Sequence, residues 1–275
     1  MGSVFRKIHV HDTSAPSVAV RGVTVEYDGV KALEDVTFEL RRGERVAVVG
    51  PNGAGKSTLF KVIAGVLEPS KGEVMLYGGE PSRHICVSYV PQRSQVDLTF
   101  PVTVWDVVMM GRVGRIGLLR WPSRRDRELV QACLELVGIA DLADRQIGGL
   151  SGGQQQRVFI ARALAQEAEV MLMDEPFTGL DVSSREEILQ ILDRLQEREV
   201  TVLVATHDLS QAAQRFDRVL ILKQKLLGFG SPDQVLNPEI LQEAFGEQLH
   251  LMGADGSVIV FSNVGCCGAR GGDNE

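Results

Sequence analysis

The stretch Gly50-Pro51-Asn52-Gly53-Ala54-Gly55-Lys56-Ser57-Thr58 decides how this 275-residue chain is read. An uninterrupted apolar run at residues 46–49 leads into it, and a helical pattern at residues 56–66 leads out. A strand, a glycine loop and a helix in that order make a phosphate-binding P-loop. Its glycines let successive backbone N–H groups turn inward on phosphate oxygens, and the helix N-terminus adds its dipole. Lys56 supplies a point charge, and the Ser57 hydroxyl serves as a magnesium ligand in such a loop.

Upstream, Val18, Val20, Val23 and Val25, then Val36, Phe38 and Leu40, predict two further short strands separated by Gly or Pro turns. Downstream, residues 104–111, 126–137 and 154–166 carry helical patterns and form a candidate inserted lobe. Residues 170–173 and 201–205 are continuous apolar runs, as in strands buried on both faces of a parallel sheet. Between them a helix at 184–198 carries Ile188, Leu189, Ile191, Leu192 and Leu195 on one broad stripe.

Residues 170–175, VMLMDE, end a strand on two carboxylates, at the sheet edge where the P-loop also sits. Asp174 fits the magnesium-side carboxylate of P-loop ATPases, and Glu175 is placed to orient or deprotonate a water. Residues 150–154, LSGGQ, stand before the helical run QQRVFIARALAQ. Ser151 can cap that helix while Gly152 and Gly153 expose N–H groups at its positive end, so one chain holds two phosphate-binding ends. With this pentapeptide the chain resembles the ATP-binding cassette (ABC) family, whose signature motif it is. The resemblance covers roughly residues 18–230 and brings four more positions in the family's order. Tyr27 matches the aromatic that stacks on adenine, Gln92 in VPQ the Q-loop, Asp181 in GLD the D-loop, and His207 in ATHD the switch histidine. Singly, Tyr27 reads as a strand aromatic, Gln92 as a surface amide and Asp181 as a helix cap. Their ordered coincidence favours the family roles.

The resemblance implies an α/β fold: a P-loop NTPase core with a mainly parallel sheet, an N-terminal antiparallel β subdomain and an inserted α-helical lobe. It implies a leader at 1–16, a RecA-like ATP-binding core at 17–92 and 167–230, and a helical lobe at 93–166. Short C-terminal helices and a strand at 231–262 and a disordered tail at 263–275 complete the division. ATP and Mg²⁺ are the implied cofactors, with Glu175, His207, Lys56 and Gln92 as catalytic residues. Tyr27, residues 50–58, Ser151, Gly152, Gly153, Gln154 and Asp181 hold the nucleotide; Ser57, Gln92 and Asp174 hold the magnesium. Two copies pair head to tail, Lys56 of one and Ser151 of the other closing on the same ATP.

Residues 100–112, FPVTVWDVVMMGR, and the later ALAQEAEVMLMDEPFTGLD are similar to the cassettes of bacterial manganese, zinc and iron uptake systems. Cassettes for siderophore, haem and cobalamin import carry related text. The implied partners are permease subunits in the membrane and an extracytoplasmic solute-binding protein, with this chain peripheral on the cytoplasmic face of the inner membrane. ABC ATPases of DNA repair or translation usually carry two cassettes or a long coiled-coil insertion, and this text has neither.

A net charge of −7 argues against a nucleic-acid binder that depends on a broadly basic surface. The longest apolar runs, 200–206 and 258–262, fall far short of the roughly 18 to 20 residues of a spanning helix. No secretory signal pattern opens the text, and the four cysteines lack CxxC spacing, which suits a reducing cytoplasm. Cys266 and Cys267, with His250, His9 and His11, match no standard zinc pattern. Arg112, Arg115, Arg120, Arg124, Arg125 and Arg127 crowd one stretch against Asp126 and Glu128 only. With Trp121 among them, they predict a contact surface for the permease or for anionic lipid.

Overall fold

The strand ahead of the P-loop, β3 (Arg45–Val49), has a parallel partner on either side, β7 (Thr201–Thr206) and β8 (Arg218–Lys223). Next to β7 lies β6 (Val170–Asp174), then β5 (Val87–Val90), both parallel; β9 (Lys225–Gly230) closes the far edge antiparallel to β8. This computed structural model describes residues 15–80, 86–92, 98, 100–117 and 120–246. His9, His11, His250, Cys266 and Cys267, the strand expected at 258–262 and the tail lie outside those residues.

The central strands are apolar at nearly every position because both faces of the sheet are covered. Successive side chains point to opposite faces, so Ala47, Val49, Met171 and Met173 join a core with Ile160, Ile188 and Leu192. Val46, Val48, Val170 and Leu172 join a second core with Leu59, Phe60 and Val20. Full burial of each such aliphatic side chain stabilises the fold by about 1.5 to 3 kcal/mol.

The second core is roofed by a three-stranded antiparallel sheet in the order β2-β1-β4, from β1 (Val18–Tyr27), β2 (Val30–Leu40) and β4 (Lys71–Met75). The first core is covered by the lobe helices α2 (Val104–Met110), α4 (Arg124–Leu136) and α5 (Gly152–Ala165), with the short α3 (Val113–Ile116) between α2 and α4. Capping boxes start α2 (Thr103 with Asp106), α4 (Ser123 with Asp126) and α5 (Ser151 with Gln154). Helix α1 (Lys56–Ile63) follows the P-loop, and α6 (Val182–Gln196) and α7 (Leu209–Arg215) follow β6 and β7. Two short helices, α8 (Pro232–Val235) and α9 (Pro238–Phe245), begin with the prolines that suit a first helical turn. The fold is α/β with a mainly parallel sheet, an antiparallel β subdomain and a helical lobe, as the resemblance implied. Among the described residues, no helix is long and apolar enough to cross a membrane.

The arginine-rich stretch is not a single outward surface. Arg112 is 4% exposed; its Nε donates to Asp126 at 3.0 Å and its Nη1 to the Ala165 carbonyl and Glu167 Oε2, both at 2.8 Å. Arg115, largely buried, lies 3.7 Å from the same Glu167. The local charge count missed this because the balancing carboxylate of Glu167 comes 55 residues after Arg112. Arg112 and Arg115 therefore hold the lobe together, and the outward charges are Arg120, Arg124, Arg125 and Arg127.

Candidate functional site

The parallel register lines up the ends of four strands. Val49 of β3 pairs with Thr206 of β7, Ala205 of β7 with Asp174 of β6, and Met173 of β6 with Val90 of β5. One sheet edge therefore carries Gly50, His207, Asp174 with Glu175, and, two residues past β5, the half-buried Gln92.

Two of the P-loop glycines are needed for packing as well as for access to phosphate. A Cβ on Gly50 would stand 2.1 Å from the Leu222 carbonyl oxygen, and one on Gly55 would stand 2.5 Å from that of Ala32. Gly55 also takes φ 97°, which favours glycine. Asn52 and Gly53 are exposed, Pro51, Ser57 and Thr58 half-buried, and Ala54 buried. Lys56 is 7% exposed, and its Nζ donates to the carbonyls of Gly50 at 2.6 Å and Pro51 at 3.1 Å. Burial pushes the Lys56 ammonium below its ordinary pKa, while the nearby charges of Glu175 and Asp174 oppose that shift.

Asp174 is 4% exposed and accepts a hydrogen bond from the Tyr89 hydroxyl at 3.2 Å. Burial first, and the Asp174 charge second, keep the Tyr89 phenol protonated well above its usual range. Glu175 sits at φ 48°, in the left-handed region that non-glycine residues seldom occupy. Its amide donates to Ala205 O at 3.1 Å, and its Oε2 accepts from Thr178 Oγ1 at 3.0 Å and lies 3.9 Å from His207 Nδ1. A cavity of about 120 Å³ opens here, walled by Glu175, Thr178, Arg185, Thr206, His207 and Asp208.

Tyr27 ends β1 at 46% exposure, paired with Val30 across the hairpin turn. The second strand of that hairpin brings Ala32 against Gly55, which ties the tyrosine's hairpin to the P-loop. Ser151, Gly152, Gly153 and Gln154 open α5 in the lobe, and no hydrogen bond or ion pair among the described residues joins them to residues 50–58. Gly153 is buried rather than exposed, because it packs on Ser184 of α6. Asp181 caps α6, accepting from the Ser184 amide and hydroxyl, both at 2.9 Å. The Ser184 amide, and then its hydroxyl, hold the Asp181 carboxyl below its usual pKa. Sequence reasoning missed Tyr89, Thr178 and Arg185. Tyr89 three residues before Gln92, and Thr178 three after Glu175, are signals of reach that could have found two of them.

A P-loop strand in one parallel sheet with strands that deliver a histidine and, one strand further, a carboxylate pair defines a P-loop ATPase site. The ABC transporter family matches residues 33–178. The manganese transport system ATP-binding protein MntB of Bacillus subtilis is 45% identical over 233 residues, 84% of this chain and 93% of that protein. The zinc transport system ATP-binding protein TroB of Treponema pallidum is 44% identical, covering 86% of this chain and 89% of its own. The structure of CbiO1 from Clostridium perfringens, part of the ABC transporter complex cbiONQ, matches with a TM-score of 0.71 at 31% identity, over 83% of this chain and 93% of that one. The chain belongs to the ABC transporter family. It is an ATP-binding cassette whose hydrolysis of ATP is coupled to transport.

Proposed function

We propose that the chain powers a manganese, zinc or iron importer, working as a head-to-tail pair on the cytoplasmic face of the membrane. The meeting of Lys56, Asp174, Glu175 and His207 at one sheet edge supports the chemistry, and the names of the relatives support the cargo. Tyr27 stacks on adenine, and the amides of residues 50–58 hold the phosphates. Lys56 Nζ exchanges the carbonyls of Gly50 and Pro51 for phosphate oxygens, a stronger charge-assisted contact. Glu175, steadied by Thr178, orients the attacking water and takes its proton, while His207 beside it holds the terminal phosphate. Ser151, Gly152, Gly153 and Gln154 of the second copy close over the same ATP, with Asp181 at the junction.

The donor set fits magnesium. Ser57, Gln92 and Asp174 offer hard oxygen ligands, and Tyr89 is the one side-chain donor that Asp174 has among the described residues, so this buried carboxylate is short of partners. Magnesium is usually held by one or two carboxylates together with substrate phosphates and waters. When bound, it neutralises charge on the phosphates. On the lobe, Trp121 at 92% exposure, flanked by Arg120, Arg124 and Arg127, forms the face on which a permease loop docks. An extracytoplasmic solute-binding protein supplies the ion.

Manganese, zinc and iron uptake should be measured in cells deprived of the chain and resupplied with the wild type or with Glu175→Gln. Uptake should return with the wild type alone. The purified variant should bind ATP unchanged, hydrolyse it slower by about 10² or more, and accumulate as an ATP-dependent dimer on a sizing column. Near wild-type hydrolysis would remove Glu175 from the mechanism; uptake of an iron chelate or cobalamin alone would replace the cargo.

A further inference from the structure

The first turn of α6 touches two places that the ATPase chemistry uses separately. Ser184 faces the lobe, where a Cβ on Gly153 would stand 2.4 Å from its hydroxyl oxygen, so the opening of α5 rests directly on this turn. Arg185, the next residue, points about 100° further round the helix. Its Nη1 lies 3.7 Å from Asp208 Oδ2, and Arg185 is among the residues that line the cavity beside Glu175 and His207.

Asp208 holds the turn that carries His207. Its Oδ1 accepts the Gln211 amide at 2.9 Å and so caps α7, while its own amide donates to Thr206 Oγ1 at 3.1 Å. His207 lies between these anchored residues, 3.9 Å from Glu175. A push on α6 that moves Arg185 therefore reaches His207 through one ion pair.

Stability does not account for the arginine. The pair is 40% and 36% exposed, and such pairs contribute little. Arg185 Nε is moreover shut off from solvent with no acceptor among the described residues, which detracts from stability.

We propose that Arg185 is a positioning residue that transmits closure of the signature turn to the His207 turn of the same chain, so that the two ATP sites of a pair fire together. This rests on the head-to-tail reading, in which Ser151, in the turn that Gly153 anchors on Ser184, meets the partner's ATP while His207 meets the chain's own. The first turn of α6 is then the shortest solid path between the two sites. No change in the fold is required, only a shift of one helix turn against two neighbours.

The test compares Arg185→Gln, Arg185→Lys, Asp208→Asn and the Arg185→Gln/Asp208→Asn double variant; asparagine keeps the cap of α7. ATP affinity and Tm should stay at wild-type values in all four. In Arg185→Gln the kcat should fall about tenfold, within the range of coupling residues, and the Hill coefficient for ATP should drop towards one. Asp208→Asn should do the same, the double variant should be no worse than either single one, and Arg185→Lys should recover much of both parameters. Multiplying effects in the double variant, or an unchanged Hill coefficient beside a lowered kcat, would overturn the proposal. A wild-type chain with neither cooperativity nor an ATP-dependent dimer would instead remove the head-to-tail reading, and that is visible before any Arg185 variant is made.

Discussion

Replacing Arg112 by alanine is the sharpest test of how the lobe is held. The substitution strips donors from three acceptors at once: Asp126 at 3.0 Å, and the Ala165 carbonyl and Glu167 at 2.8 Å. Breaking a buried pair from one side typically costs about 3 to 5 kcal/mol, because the abandoned carboxylate has no water to return to. Remaining partners pull the value towards the lower end. Ser123 still donates to Asp126 Oδ2 from its amide and its hydroxyl, and Arg115 and Arg125 stand 3.7 and 3.8 Å from Glu167. We expect a loss of about 3 kcal/mol, read by urea unfolding of the full chain and by faster hydrogen exchange in α2 and α4. Arg124→Ala is the control: that side chain is 93% exposed and, among the described residues, pairs only with Glu128 one turn on, so no measurable change is expected. A stability change under about 1 kcal/mol in Arg112→Ala would refute the reasoning, since it would place Arg112 in the class of exposed pairs. The same logic makes charge reversal at Arg112 unfit as a test of docking, which belongs at Arg120, Arg124 and Arg127.

Two further outcomes are open to direct measurement. If Tyr27 stacks on adenine, Tyr27→Ala should weaken nucleotide binding by about 1 to 3 kcal/mol, while Tyr27→Phe and Tyr27→Trp preserve it in a calorimetric titration; equal affinities throughout would make it a surface aromatic. Burial alone would raise the Asp126 pKa, but the Ser123 hydroxyl and amide and then Arg112 outweigh it and hold the carboxyl below its ordinary value. A pKa depressed by folding contributes stability that is present above the unfolded value and lost as pH falls through the folded one. Acid titration should therefore loosen the lobe below about pH 4, and Asp126→Asn should flatten that part of the pH profile; an unchanged slope would exclude Asp126 as its source.

Much of the architecture was legible because it depends on local patterns. Residues 46–49, 170–173 and 201–205 could be read as buried parallel strands from apolar continuity alone, and the P-loop fixed where they had to end. Ser151 and Asp181 were readable as caps from residue type and spacing. What stayed hidden depends on contacts between distant segments. Arg112 looked like a surface charge because Glu167 is far along the chain, and Gly153 looked like an exposed amide because nothing in LSGGQ announces Ser184. The left-handed backbone of Glu175 has no local signal either, because acidic residues at strand ends are ordinary.

Leu172 and Met173 are neighbours on β6, yet each belongs to a different core. The six-stranded sheet is thus a wall with two separate tenants: the β subdomain with α1 on one face, and α6 and α7 with the helical lobe on the other. A substitution at Met173 is felt among the lobe helices, and one at Leu172 among the strands of the hairpin. Alternate positions of β6 can therefore be repacked from one face while the opposite positions leave the packing of the other face unaltered.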